Sequence, residues 1–168
     1  MHFFDVLQNR RSIRQYTDED IPSTNVELIL EAAMLAPSAC NSRPWEFYVI
    51  TNKEVRQQLA EIHPNAAHLE QAPLAILVCG LPERQKGKCS GYWPQDCGAA
   101  IENMLLEAVN LGYGACWCGI YPNEERTQKI KELLKMESVP VALVTVGVPD
   151  EEPNRRGYYD PGAVHYIR

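Results

Sequence analysis

One domain of mixed helix and sheet is what this sequence predicts, and three observations carry that expectation. The chain has 168 residues, enough for one substantial core and too few for two domains of ordinary size. Short apolar, β-branched or aromatic runs that suit strands recur at residues 45–51, 74–79, 115–121 and 141–146, with helix-patterned segments between them. Hydrophobic residues make up 45% and charged residues 23%, an ordinary globular balance that predicts order across residues 1–168 as a single unit.

Each element has its own signal. A first helix is expected over residues 2–9, with Phe3, Val6 and Leu7 on one face, ending at the polar run that starts at Arg10. A second helix is announced after Pro22 by Thr24 and Glu27 in the spacing of a capping box. Val26, Ile29, Leu30 and Ala33 continue it to about Ala36. Residues 37–44 are small and polar and read as a loop, and the aromatic run at 45–51 reads as a strand. A helix over 53–62 follows. The run Leu74-Ala75-Ile76-Leu77-Val78-Cys79 is apolar throughout, as a strand buried on both faces should be.

The longest helix is expected over residues 95–111. Glu102, Asn103, Glu107 and Asn110 form a narrow polar stripe, so nearly all of its circumference must be covered, in part by a second subunit. Gly112 and Gly114 end it. Asn123 can cap a helix carrying Thr127, Ile130, Leu133 and Leu134, and 141–146 is the last strand. The tail from Pro149 has too few apolar residues to fold alone, so it frays or wraps a partner.

Several function classes are disfavoured. A net charge of −6 argues against nucleic acid, whose affinity rests on clustered cations. No secretion signal opens the chain and no run approaches the roughly 20 apolar residues of a membrane span, which places the protein in the cytoplasm. The six cysteines then read as reduced thiols, and their spacing offers no zinc-finger pattern. Cys116 and Cys118 read as small buried hydrophobes on a strand. Alternating strands and helices could suggest a parallel doubly wound sheet, yet neither G-x-G-x-x-G nor G-x-x-x-x-G-K-[ST] occurs. A nucleotide-like ligand would need another phosphate grip.

That grip is offered by Arg10, Arg11, Ser12 and Arg14. Three of the 16 basic residues fall within five positions, with no acid among them. Charge-assisted hydrogen bonds contribute about 1.5–3 kcal/mol each, so this group could hold a phosphate monoester; a solvated turn after the first helix is the alternative. In the loop 37–44, small residues would let a flat ring approach the backbone. Ser38 and Asn41 supply donors and acceptors there, and Arg43 supplies charge; a plain helix-to-strand connection is the alternative. No Ser/His/Asp or Cys/His signature stands out, and His63, His68 and His165 read as surface or structural residues.

Taken in order, Arg10-Arg11-Ser12-x-Arg14, then Ala36-Pro37-Ser38-x-x-Asn41-Ser42-x-Pro44-Trp45-x-Phe47, then Gly112-Tyr113-Gly114-Ala115 with Gly119 beyond, the sequence resembles the FMN-dependent nitroreductases almost end to end. The resemblance implies an α+β three-layer sandwich, a mostly antiparallel central sheet flanked by helices, assembled as an intertwined homodimer. It implies FMN contacts from Arg10, Arg11, Ser12 and Arg14, with Arg155 or Arg156 closing over the phosphate. Pro37, Ser38, Ala39 and Asn41 would come from the opposite subunit, and the backbone N–H of Gly119 would lie near flavin N5. NADH or NADPH would be the donor and a small molecule such as a nitroaromatic or quinone the acceptor, with ping-pong kinetics. Flavin N5 would carry the hydride, with no catalytic side chain and no metal. Similar scaffolds acting on other acceptors, or holding FMN without turnover, are rival readings, and a cysteine-based metal or redox module, which requires the cysteines to converge in space, is a third. The chain departs from the family in carrying Cys118 where many relatives have an acid before the glycine. Its segment 80–94 matches no familiar pattern and is expected to shape the substrate pocket.

Overall fold

The computed structural model describes residues 2–154 and 157–168. Four strands carry the apolar runs: β1 (Trp45–Ile50), β2 (Leu74–Gly80), β3 (Gly114–Gly119) and β4 (Val139–Gly147). They form one sheet in the order β1-β2-β4-β3, and every pairing between them is antiparallel. Leu77 stands opposite Leu143, and Cys116 opposite Thr145. The parallel doubly wound alternative is thereby excluded.

Strand side chains alternate between faces, and each face has its own core. Ile76, Val78 and Val144 pack with Ile29, Ala33 and Met104 from the helices α2 (Ser23–Met34) and α4 (Trp93–Asn110). Leu77, Cys116, Cys118 and Leu143 face the other way. They pack with Leu59 of α3 (Lys53–Ile62), Ile130 of α5 (Glu124–Leu134) and Leu69 of the 3-10 turns at Pro64–Glu70. The result is the expected three-layer α+β sandwich. All seven residues of β2 are buried, as the uniform apolar run required.

Helix ends differ from expectation in instructive ways. No capping box forms at Thr24: α2 begins one residue earlier, and the carbonyl of Pro22 accepts the first helical amides from Asn25 and Val26. Proline at the cap fixes the entry backbone, so the hydroxyl is not needed. The α4 helix begins at Trp93 rather than Gln95, with Pro94 in its first turn, where a missing N–H costs nothing. At α5 the expected cap is present, the Asn123 side chain accepting from the Arg126 N–H at 2.8 Å. The first helix, α1 (Phe3–Asn9), buries only Val6; Phe3 is 68% exposed and Leu7 42%. It lies against α4 on the outside of the sandwich, and among the described residues only Val6 of its apolar face is covered. Much of the cover of α4 comes from α2 and the sheet of its own chain, while Leu106 and Val109 stay half-buried.

After α1 the chain runs alongside β3. Ser12 bridges Ala115 in parallel fashion, and the Ile13 N–H donates to the Ala115 carbonyl at 3.0 Å. Tyr16 anchors the far end of this segment, its hydroxyl bonded to the Ile13 carbonyl and at 2.8 Å to Thr145 Oγ1. The arginine cluster is therefore laid along an edge of the sheet by backbone pairing. Among the described residues no helix is long and apolar enough to cross a membrane.

Candidate functional site

Arg10, Arg11, Ser12 and Arg14 all line one cavity of about 520 Å³. Phe4 and Leu7 of α1 give it an apolar wall, and Asn154, Gly157, Tyr158 and Tyr159 of the tail close another side. The three arginines sit differently. Arg10 makes a loose ion pair with Glu102 at 3.7 Å. Arg11 Nη1 donates to the carbonyls of Gln8 at 2.6 Å and Arg10 at 2.9 Å, at the end of α1 where carbonyls lack helical partners. Arg11 Nε is buried with no hydrogen-bond partner among the described residues. Arg14 is exposed, and its backbone N–H is held by the Glu151 carboxylate. Three guanidinium side chains on the wall of one cavity suit an anionic ligand. Arg155 and Arg156 lie outside the described residues.

The second predicted group, Pro37, Ser38, Ala39 and Asn41, is not on this cavity's wall. Its loop is held in an unusual shape. Cys40, Asn41 and Arg43 have φ of 53°, 51° and 47°, the left-handed region, which costs non-glycine residues about 1–2 kcal/mol each. Surrounding contacts hold it there. Asp96, buried in the first turn of α4, accepts from the Ala39 N–H at 3.1 Å and from Gln85 Nε2 at 2.7 Å. Gln85 Nε2 also reaches Ser42 Oγ at 3.1 Å, Ser38 Oγ accepts from the Arg43 N–H at 2.9 Å, and Arg84 donates to the Arg43 carbonyl at 3.0 Å. The segment 80–94 thus acts as a brace for the loop. Asp96 and Gln85 went unnoticed in the sequence; an acid in a first helical turn was the only signal, and Gln85 carried none. Asp96→Asn keeps the shape but removes the charge, so it should cost about 1 kcal/mol and lower Tm by about 2–4 °C, measured by calorimetry.

Gly119 ends β3 exposed, and a side chain built there would meet no atom within 4 Å, so a flat group can approach its backbone. Its carbonyl is pinned from behind by His63 Nε2 at 2.8 Å and Arg126 Nη1 at 3.1 Å. With Nε2–H donating, His63 Nδ1 is a buried acceptor with no partner among the described residues. Burial lowers the His63 pKa first, with Arg126 adding to the shift. The folded state therefore binds that proton less readily than the unfolded chain. Stability from this residue is complete above the ordinary histidine pKa of about 6.5 and is lost as pH falls below it. Urea unfolding from pH 7.5 to 5.5 should show this loss, and His63→Gln should flatten it.

His68 is also buried, and Cys118 Sγ lies 3.4 Å from its Nε2. Cys116 and Cys118 are buried on the strand, as expected of small hydrophobes, but their meeting with His68 was not legible in the spacing. His165, by contrast, is exposed.

An antiparallel α+β sandwich with an arginine-lined cavity beside one sheet edge, an open glycine at the end of that edge strand and a braced polar loop elsewhere is an arrangement suited to a flat, anionic small molecule. The profile of the nitroreductase family matches residues 7–80 and 63–148. A relative from Methanothermobacter thermautotrophicus, named "Putative NADH dehydrogenase/NAD(P)H nitroreductase", is 40% identical over 167 residues, covering 98% of this chain and 86% of its own. An FMN-dependent nitroreductase structure from Clostridium difficile R20291 superposes with a TM-score of 0.88 at 30% identity, covering 98% of this chain and 99% of its own. A "putative nitroreductase in complex with fmn" from Desulfovibrio desulfuricans gives 0.84 at 28% identity, covering 100% and 98%. The chain belongs to the nitroreductase family.

Proposed function

We propose that this chain is an FMN-dependent oxidoreductase that takes reducing equivalents from NADH or NADPH and passes them to a small acceptor such as a nitroaromatic or quinone. One observation carries the reading: Arg10, Arg11, Ser12 and Arg14 converge on the wall of one 520 Å³ cavity, a concentration of cations suited to a phosphate monoester. Arg10, Arg11, Ser12 and Arg14 would hold the phosphate and ribityl chain of FMN, with Arg155 or Arg156 as a further contact. Bound FMN would supply two-electron chemistry at N5.

The protein's own residues orient and enclose. Gly119 leaves room for the ring, and His63 and Arg126 hold its peptide still. A fixed backbone needs little reorganisation when charge develops nearby, which is how oriented amides lower barriers. Pro37, Ser38, Ala39 and Asn41 are absent from the arginine cavity of their own chain, which supports their serving the site of a second copy. Exposed Phe3, Phe4, Leu7 and Leu35, and a tail exposed along its length at Tyr158, Tyr159 and Tyr166, supply apolar surface for such a homodimer.

The test is an anaerobic absorption titration of the FMN-loaded protein with NADH and then NADPH. Bleaching within seconds by one donor, parallel double-reciprocal plots with a quinone acceptor, and a solution mass of twice the 19.0 kDa chain are expected. A protein that takes up no FMN would overturn the reading. One that binds FMN but is reduced by neither nucleotide would be a flavin-binding module without turnover.

A further inference from the structure

On the sheet face opposite Gly119, three residues from two elements converge. Cys116 and Cys118 are two apart on β3, so the alternation of the strand points both toward the same layer. His68 comes from the 3-10 turns at Pro64–Glu70 in that layer. All three are buried, and their Sγ and ring nitrogen atoms lie within 4.8 Å of one another.

We propose that His68, Cys116 and Cys118 form a binding site for a thiophilic d10 cation of the zinc type, separate from the arginine cavity. The spacing suits the ion. Zinc bonds of about 2.3 Å to sulfur and 2.0–2.1 Å to nitrogen, at a tetrahedral angle, put those ligand atoms about 3.5 Å apart. Cys118 Sγ and His68 Nε2 are 3.4 Å apart here. The donor set is soft, with no carboxylate in the group, which favours zinc over magnesium or calcium. Charge balance points the same way. Each thiol gives up its proton to the buffer as its sulfur binds, His68 binds as neutral imidazole, and the two thiolates cancel the dication. The neutral unit that results sits among Leu69, Leu77 and Ile120 without an uncompensated charge. The bound ion ties β3, which ends at Gly119, to the segment that begins just after His63, and both of these position the Gly119 peptide.

The test uses the full chain with the more exposed thiols removed by Cys40→Ser and Cys89→Ser, so that surface cysteines cannot bind the probe. The reduced, metal-stripped protein is titrated with zinc against a chromophoric chelator, and cobalt(II) reports thiolate ligation by its charge-transfer absorption. One ion per chain, two protons released and a raised Tm are expected. Cys116→Ala/Cys118→Ala keeps small apolar side chains and should stay folded by circular dichroism, with affinity down at least about 100-fold; His68→Ala should lose about tenfold or more. No zinc uptake by the folded parent would overturn the proposal. So would uptake that survives in the alanine double variant, or a Cys116–Cys118 disulfide in the protein as purified, seen by mass spectrometry.

Discussion

Arg11→Ala is expected to weaken FMN binding by about 10–150-fold more than it weakens riboflavin binding. A charge-assisted hydrogen bond contributes about 1.5–3 kcal/mol, and each 1.4 kcal/mol is a factor of ten in Kd. Arg11 is the residue to change because it lines the basic cavity with its guanidinium held in place by the Gln8 and Arg10 carbonyls. The same side chain also closes the end of α1 through the Gln8 carbonyl, so alanine will loosen that turn as well. Riboflavin separates the two effects. It carries the ring and sugar chain but no phosphate, so a loosened turn weakens both ligands alike and a lost phosphate contact weakens only FMN. Arg11→Lys should fall between, since it restores charge but not the planar fork. The measurement is fluorescence quenching of each flavin titrated with protein. An unchanged ratio of the two Kd values in Arg11→Ala would remove Arg11 from the phosphate site.

That cluster was legible because arginines crowded into five positions of an acidic chain are visible without coordinates. The strands were legible for a similar reason, each being a short run whose apolar content exceeds its surroundings. What escaped the sequence depends on partners far along the chain. Asp96 braces Ala39 across 57 positions, and His63 meets Gly119 across 56. His68 reaches Cys118 across 50. No spacing rule links such residues, because the contact is made by the antiparallel order of the sheet and the layers packed on it. The capping box at Thr24 failed for a local reason: Pro22 already sets the backbone that the hydroxyl would have stabilised. Phe3, Val6 and Leu7 were expected on one apolar face, yet among the described residues only Val6 of the three is buried.

Gly114→Ala tests whether the arginine segment must lie against β3 for the site to exist. A Cβ at Gly114 would stand 2.7 Å from Ile13 Cγ1 and 2.8 Å from both Ile13 Cβ and Cγ2. Ile13 cannot swing away, because a β-branched side chain is stiff at its first torsion and its own Cβ is one of the clashing atoms. The Ile13 N–H is bonded to the Ala115 carbonyl, and Tyr16 holds the Ile13 carbonyl from the other side. Relief therefore requires the whole segment from Arg10 to Tyr16 to shift off the sheet edge. Overpacking of this kind costs about 1–3 kcal/mol, which for a chain of this length lowers Tm by roughly 2–12 °C. The functional loss should exceed what stability alone explains, since Arg11, Ser12 and Arg14 move together and a phosphate site depends on their joint placement. Flavin content and Tm measured on the same preparation decide the matter. A variant destabilised as expected but still binding FMN at the parent's affinity would mean that the arginine segment keeps its geometry without β3. Ile13→Val keeps Cβ and both Cγ atoms and should give no rescue, whereas Ile13→Ala, which removes both Cγ atoms, should restore more flavin binding in the Gly114→Ala background than in the parent.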